Sequence, residues 1–139
     1  MTRRAAGACP PGRRRRALLA LAFVTPLGLA TKAWTGPAAH WVQSYLGGVL
    51  YVVFWMLLAA LAWPRASPWL VAAAVLGTTC LLEALQLWQP AGLEALRSTF
   101  LGHALLGSTF SWWDYPHYVA GAAVGVALLR GREPKTRPG

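Results

Sequence analysis

Charge is scarce in this sequence, and acidic side chains are the scarcest. Only 4 of the 139 residues are Asp or Glu, and charged residues make up 12% of the chain against 56% hydrophobic residues. A soluble domain carries roughly 25% charged residues. Most of the charge lies near the termini, and the long stretch between Ala17 and Leu129 holds only Lys32, Arg65, Glu83, Glu94, Arg97 and Asp114. Because six charges cannot keep a domain of this size solvated, the composition excludes an ordinary soluble domain and favours an integral membrane protein.

Cysteine and histidine are also too few and too scattered to support a redox or metal centre. Cys9 lies in a basic stretch and Cys80 inside an apolar one, so we expect no disulfide between them, and the histidines match no ligand spacing. We therefore expect no metal and no cofactor. The net charge of +9 comes from basic residues that flank apolar segments, where topology signals lie, so we expect no nucleic-acid partner.

Four apolar segments remain once the basic ends are set aside. Each is close to the roughly 20 residues that cross a bilayer as a helix. The sequence therefore predicts an all-α fold, an integral membrane four-helix bundle forming a single domain over residues 17–130, between a disordered basic tail (1–16) and a second basic tail (131–139). The predicted spans are 17–34, 46–63, 69–88 and 112–129.

Tryptophan and arginine placement sets the register and the orientation of these spans. Seven of the eight tryptophans fall at segment ends, where indole rings favour the headgroup level. With both termini in the cytoplasm, eleven Lys or Arg residues lie on the cytoplasmic side, and only Lys32 and Arg97 on the other. The positive-inside rule therefore predicts a multi-pass protein of the inner membrane with cytoplasmic N- and C-termini.

Two segments allow a second interpretation. Residues 17–34 follow a basic stretch and end in small residues, so they are either a retained helix or a cleaved signal peptide. The outer segment Gln89–Ser111 has apolar residues at helical spacing, which predicts an interfacial or re-entrant segment between the third and fourth helices.

Several polar residues converge at the outer end of the third and fourth spans. Glu83 lies inside the third span with Gln86 one turn further out, and Asp114 begins the fourth span with Tyr118 one turn further in. An ionisable residue inside a bilayer needs a partner or a water-filled cavity. We expect Arg97 to be the counter-charge of these carboxylates. The predicted ligand-binding set is Glu83, Gln86, Arg97, Asp114 and Tyr118, with His103 or His117 nearby.

A purely structural interpretation of the same residues stays open. Glu83 could hold two helices together by hydrogen bonds, and Asp114 could cap the fourth helix at its positive dipole end. The Gly121–Gly125 pair has the spacing that lets helices approach closely, and we expect it to serve packing within the chain, although oligomerisation remains possible.

At these residues the chain resembles the VanZ-like group of small multi-spanning membrane proteins, and it is most similar to a related family of unknown function. The resemblance rests on Glu83-Ala84-Leu85-Gln86, Arg97, the run from Leu106 to Trp112 that leads to Asp114, and Tyr118-Val119-Ala120-Gly121. Relatives often have Asp at position 48, where this chain has Gly48. The resemblance implies a short bacterial protein of the cell envelope. It supplies a location for the polar site and no reaction.

Three functions are compatible with the pattern. The first is binding of a lipid-linked or glycolipid headgroup, or of an envelope glycopeptide, in a polar pocket of the outer leaflet, with membrane lipids as partners. The second is an intramembrane enzyme that uses Glu83 or Asp114 as a general base. The third is a small transporter subunit, which four short spans would form only by oligomerising.

Overall fold

The computed structural model describes residues 11–88, 90–106 and 110–131, and in these residues all regular structure is helical. The predicted all-α class is therefore confirmed for the described chain. The elements in chain order are α1 (Pro11–Ala33), α2 (Ala39–Trp41), a π-helical stretch (Val42–Leu46), α3 (Gly47–Ala62), α4 (Pro68–Leu85), α5 (Ala91–Arg97), α6 (Phe100–Leu106) and α7 (Asp114–Arg130).

Three helical stretches in the described residues are long and apolar enough to cross a membrane by length and composition: Gly12–Ala33, Ala39–Ala62 and Pro68–Leu85. The second joins α2, the π-helical stretch and α3. Their outer faces carry apolar side chains that water would not favour, such as Phe23 at 69% exposure and Leu81 at 62%. The length and composition of these helices indicate a membrane protein, as predicted. With 17 residues, α7 is shorter than these three stretches, so the predicted bundle of four membrane-spanning helices is confirmed for three of them only by length and composition.

The helix ends differ from the predicted bounds in ways the contacts explain. α1 begins at Pro11, so residues 11–16, which were predicted to belong to a disordered tail, are helical. Arg13 donates from Nη1 to the carbonyl oxygens of Pro64 at 3.2 Å and Ala66 at 2.9 Å, which ties this first turn to the loop before α4. Residues 1–10 and 132–139, the remainder of the predicted tails, lie outside the described residues.

The start of α4 follows directly from its sequence. Ser67 is extended and its Oγ accepts a hydrogen bond from Leu70 N at 3.1 Å, while Pro68 occupies the first turn. Ser at the N-cap satisfies a free backbone donor, and Pro in the first turn loses no helical hydrogen bond. The helix therefore begins here, one residue before the predicted span.

Helix α3 is the central helix of the fold and contacts α1, α4 and α7. Its fully buried side chains are Val52, Val53, Met56 and Leu57. Helix α7 approaches α3 closely because it presents glycines there. A Cβ on Gly121 would lie 2.7 Å from the carbonyl oxygen of Val49, and one on Gly125 would collide with Met56 Sδ.

The two ends of the folded chain, at opposite ends of the long helices, differ in charge. At one end, called the basic end below, lie Arg13, Arg14, Arg15, Arg16, Arg65 and Arg130. The opposite end, called the cavity end, includes the end of α1, the π-helical stretch, the end of α4, the short helices α5 and α6, and the start of α7.

Candidate functional site

A cavity of about 320 Å³ lies at the cavity end, where the ends of the long helices meet α6. Its wall is mostly polar. The polar lining residues are Lys32, His40, Gln43, Ser44, Tyr45, Tyr51, Thr79, Glu83, Gln86, His103, Ser111, Asp114 and Tyr118. The others are Gly48, Leu82, Leu105 and Leu106. So many polar groups at the end of apolar helices indicate a site for a polar ligand.

Glu83 is the most buried ionisable group at this site, with 2% of its surface exposed. Its Oε2 accepts hydrogen bonds from Tyr118 Oη at 2.9 Å and Gln86 Nε2 at 3.3 Å. Its Oε1 accepts one from the backbone N–H of Ser111 at 3.0 Å. Three neutral donors thus satisfy both oxygens of this carboxylate, and each comes from a different part of the chain. Glu83 therefore ties α4 to α7 and to the segment before it.

Asp114 lies beside Glu83, near enough for the two side chains to interact electrostatically. The Oδ1 atom of Asp114 is buried and has no hydrogen-bond partner.

Gln86 presents a second buried acceptor without a partner. Its Nε2 donates to Glu83 and to the carbonyl oxygen of Leu106 at 2.7 Å, while its Oε1 is left without a donor. An unsatisfied buried acceptor costs about 1–3 kcal/mol. Asp114 and Gln86 both line the cavity. Two orphan acceptors in one wall favour a ligand that brings its own N–H or O–H donors.

Lys32 is the cation of this cavity. Its Nζ donates to the carbonyl oxygen of Gln43 at 3.1 Å, and its side chain passes beside Gly47, where a Cβ would be in ordinary van der Waals contact with Nζ at 3.5 Å. Lys32 is also near enough to interact electrostatically with Asp114. The site therefore places one ammonium group and two carboxyl groups around the same space, which suits a ligand carrying both a phosphate and a donor group.

Helix α6 covers one side of the cavity and is fastened through its backbone. Tyr51 Oη donates to the carbonyl oxygen of Leu105 at 2.7 Å, and Gln86 holds the next carbonyl, that of Leu106. Both donors come from long helices, α3 and the end of α4. The predicted outer segment is thus two short helices, of which α6 closes the site. Residues 89 and 107–109 of that segment lie outside the described residues.

The structure brings together four of the five predicted ligand-binding residues. Glu83, Gln86, Asp114 and Tyr118 all line the cavity, and so does His103. Arg97 does not line it, and the partners of Glu83 are neutral donors rather than this guanidinium. Arg97 lies on α5, at the level of the cavity end, and its part in ligand binding stays a prediction.

The sequence interpretation missed the wall formed by the end of α1 and the π-helical stretch. Lys32 was counted only as a charge on the outer side, and His40, Gln43 and Tyr45 precede the predicted second span. Tyr45 stacks on His117 with 4.4 Å between ring centroids, which joins this stretch to α7. One signal was present in the sequence. Lys32 is the only charge within the first apolar segment, and such residues face the protein interior more often than lipid.

Within the described residues, no three His, Cys, Asp or Glu side chains gather closely enough to hold a metal ion. The fold and the site thus define a small all-helical membrane protein with a polar cavity at one end. Residues 38–122, more than half of the chain, match the family of proteins of unknown function called DUF2809. The chain belongs to this family.

The family match covers every predicted ligand-binding residue and ends before Gly125. The predicted similarity to a family of unknown function is therefore confirmed, while the tie to the VanZ-like group remains a prediction. No curated protein and no solved structure matches the chain.

Proposed function

We propose that this protein crosses the bacterial inner membrane four times, with both termini in the cytoplasm, and binds a lipid headgroup in its cavity. The fourth span is α7. Its first residue, Asp114, lies beside Glu83 near the end of α4, and the guanidinium of Arg130 lies 5.7 Å from the ring of Trp69 at the start of α4. Since α7 runs along the whole length of α4, it crosses whatever α4 crosses.

The orientation follows from the basic end. Six arginines lie there in the described residues, against Lys32 and Arg97 at the cavity end, and the positive-inside rule places such an end in the cytoplasm. In spheroplasts, an impermeant maleimide should label a cysteine introduced at Ala91 and should leave one at Ala66 unlabelled until the membrane is opened. Labelling of Ala66→Cys from outside would reverse the orientation.

Retention of α1 is part of the same proposal, because α1 supplies both core and site. Ala17, Val24 and Thr31 are buried against the other helices, and Lys32 lines the cavity. A signal peptide is removed and contributes nothing to the mature fold. The purified protein should therefore have an intact mass near 15.0 kDa. A mature N-terminus near Thr31 would contradict retention.

The observation that carries the binding proposal is the pair of orphan acceptors, Asp114 Oδ1 and Gln86 Oε1, in the wall of one cavity. A headgroup with N–H or O–H donors satisfies both. Lys32 takes the phosphate that links such a headgroup to its lipid. Glu83 positions Gln86 through the hydrogen bond described above, and Asp114 lies beside Glu83. The ligand class is a donor-bearing headgroup, either that of a phospholipid or that of a lipid-linked sugar.

Native mass spectrometry of the purified protein with added lipids tests this directly. Phosphatidylethanolamine and phosphatidylglycerol carry donors, whereas the quaternary ammonium of phosphatidylcholine carries none. With matched chains, the donor-bearing lipids should be retained about tenfold more, since a hydrogen bond to a charged group is worth roughly 1.5–3 kcal/mol. A neutral glycolipid distinguishes a sugar headgroup from a phospholipid headgroup. Its hydroxyl groups can donate to Asp114 and Gln86, but it has no phosphate to bind Lys32. Equal retention of all lipids would contradict the proposal.

Variants then locate the binding. Asp114→Leu removes the acceptor and should abolish the preference for phosphatidylethanolamine, while Glu94→Leu changes an exposed acid outside the cavity and should preserve it. Lys32→Met should weaken phospholipid retention and leave the neutral glycolipid unaffected. Arg97→Gln is the control for Lys32→Met, because it also removes one positive charge from the cavity end but from a residue outside the cavity wall. If Arg97→Gln had the larger effect, the cation of the site would be Arg97, as the sequence predicted.

Enzymatic use of the same carboxyl groups has less support. A general base must be able to reach the proton that it removes, and both oxygens of Glu83 are already occupied by donors. Asp114 is the better placed of the two, and a headgroup that sits against its Oδ1 would place an ammonium or hydroxyl proton there.

A further inference from the structure

A second concavity lies between α3 and α4, outside the polar cavity. It has a volume of about 500 Å³, and its wall is formed almost entirely by apolar side chains. Trp55 and Ala59 of α3, with Trp63 directly after that helix, face Ala74 and Thr78 of α4. From Tyr51 to Trp63 it extends 12 residues along α3, about 18 Å at 1.5 Å per residue. This groove therefore runs from the cavity end almost to the basic end.

The groove and the polar cavity adjoin each other. Tyr51, Thr79 and Leu82 line both. Tyr51 marks the change of chemistry, because its hydroxyl bonds to the backbone of α6 at the polar side while its ring packs edge-to-face on Trp55, with 6.2 Å between centroids. A molecule that fills both spaces is polar at one end and apolar along the rest.

We propose that this groove holds a hydrocarbon chain of the same lipid whose headgroup occupies the polar cavity. The inference rests on the proposed function and assigns the ligand class more narrowly, as an amphiphile recognised along its chain as well as at its headgroup. Three alanines, Ala59, Ala62 and Ala74, leave the space that a chain fills.

The dimensions and the surroundings fit a chain. The hydrocarbon core of a bilayer is about 30 Å thick, so one leaflet contributes about 15 Å, and the groove of about 18 Å accommodates a chain along its full depth. The groove is open on the outer face of the helices, where Trp63 is 68% exposed. A chain can thus enter sideways from the lipid while its headgroup enters the cavity.

A chain-length series tests the groove apart from the headgroup site. Long-chain lysophosphatidylethanolamine, its short-chain form and glycerophosphoethanolamine share one headgroup and differ only in the chain. Competition in native mass spectrometry should show retention that falls at least tenfold from the long chain to the chainless compound. If the chainless compound binds as well as the long chain, the groove inference fails and the headgroup proposal stands. If no member of the series binds, the proposed function fails.

Two neighbouring alanines supply the variant and its control. Ala73 and Ala74 are both exposed on α4, and only Ala74 lines the groove. Ala74→Phe should remove the advantage of the long chain, whereas Ala73→Phe should keep it. Equal behaviour of the two variants would overturn the inference. Loss of a dimer in Ala74→Phe, with lipid retention unchanged, would also overturn it and assign the groove to a second copy of the chain.

Discussion

The basic end and the cavity end of this molecule use their polar residues in opposite ways. At the basic end, every arginine but Arg13 is exposed, and the observed contacts are with backbone carbonyls or an indole ring, as of Arg13 with Ala66 and of Arg130 with Trp69. At the cavity end, the polar groups lie between helices, and Glu83 is almost wholly buried. All three carboxylates of the described chain are at this second end. Peripheral basic residues are those that the positive-inside rule counts, whereas a charge enclosed in a membrane protein is costly and needs a partner or a water-filled cavity.

The largest effect should come from Glu83→Gln at the cavity end. Tyr118, Gln86 and Ser111 now present three hydrogen-bond donors to the two oxygens of Glu83, and the NH₂ group of a glutamine would face one of these donors. A buried polar group left without a hydrogen-bond partner costs about 1–3 kcal/mol of stability, and more where a charge is lost. The free energy of unfolding should fall by roughly 3 kcal/mol in equilibrium denaturation in detergent. Glu94→Gln, at an exposed position on α5, should leave it unchanged. Equal stability of the two variants would contradict the claim that the enclosed Glu83 contributes more to stability than the exposed Glu94.

The next largest effect concerns the close packing of α7 against α3. Gly121→Ala introduces a Cβ 2.7 Å from a backbone oxygen of α3, whereas a Cβ on Gly77 of α4 meets nothing within 4 Å. Overpacking costs about 1–3 kcal/mol, and Gly to Ala gains about 0.5–1 kcal/mol within a helix. Gly121→Ala should therefore lower the free energy of unfolding and Gly77→Ala should raise it. Opposite signs are expected in the same denaturation assay, and two increases would contradict the close α3–α7 packing.

A smaller effect is expected at the basic end. Arg13→Gln removes hydrogen bonds to Pro64 and Ala66, each worth about 0.5–1.5 kcal/mol net, from a site that is partly exposed to solvent. The unfolding free energy should fall by about 1 kcal/mol. Arg14→Gln changes an exposed neighbour and serves as its control. Lipid retention should be the same in both variants, because neither residue lines the cavity or the groove. A loss of headgroup selectivity in Arg13→Gln would mean that the basic end contributes to binding.

The smallest effect is the coupling between Glu83 and Arg97. Because the three donors to Glu83 are neutral and Arg97 lies outside the cavity wall, a double-mutant cycle of Glu83→Gln and Arg97→Gln should give an interaction energy within about 0.5 kcal/mol of zero. A coupling above about 1 kcal/mol would restore the ion pair expected from the sequence.

The sequence predicted the all-helical class, the membrane environment and most of the acidic side of the site, because these depend on local signals. Long apolar runs need no partner to be recognised, and Glu83 stands out as a carboxylate in such a run. The start of α1 was missed because its basic first turn is held by a loop about fifty residues away, through Arg13. Lys32 was missed as a cavity residue because its surroundings come from the π-helical stretch and α7. Which side chains meet across two helices depends on how each helix is rotated about its own axis. The spacing of apolar residues does not determine that rotation when every face of the helix is apolar.

The most direct test of binding at the cavity end compares one cysteine at each end in a protein that lacks Cys9 and Cys80. Ser44→Cys lies in the cavity wall, and Ala66→Cys lies in the loop at the basic end. The rate of maleimide alkylation is measured in nanodiscs of phosphatidylcholine, with and without added phosphatidylethanolamine. Phosphatidylethanolamine should slow the reaction at Ser44→Cys severalfold and leave Ala66→Cys unchanged. Equal rates at Ser44→Cys with and without phosphatidylethanolamine would contradict headgroup binding in the cavity.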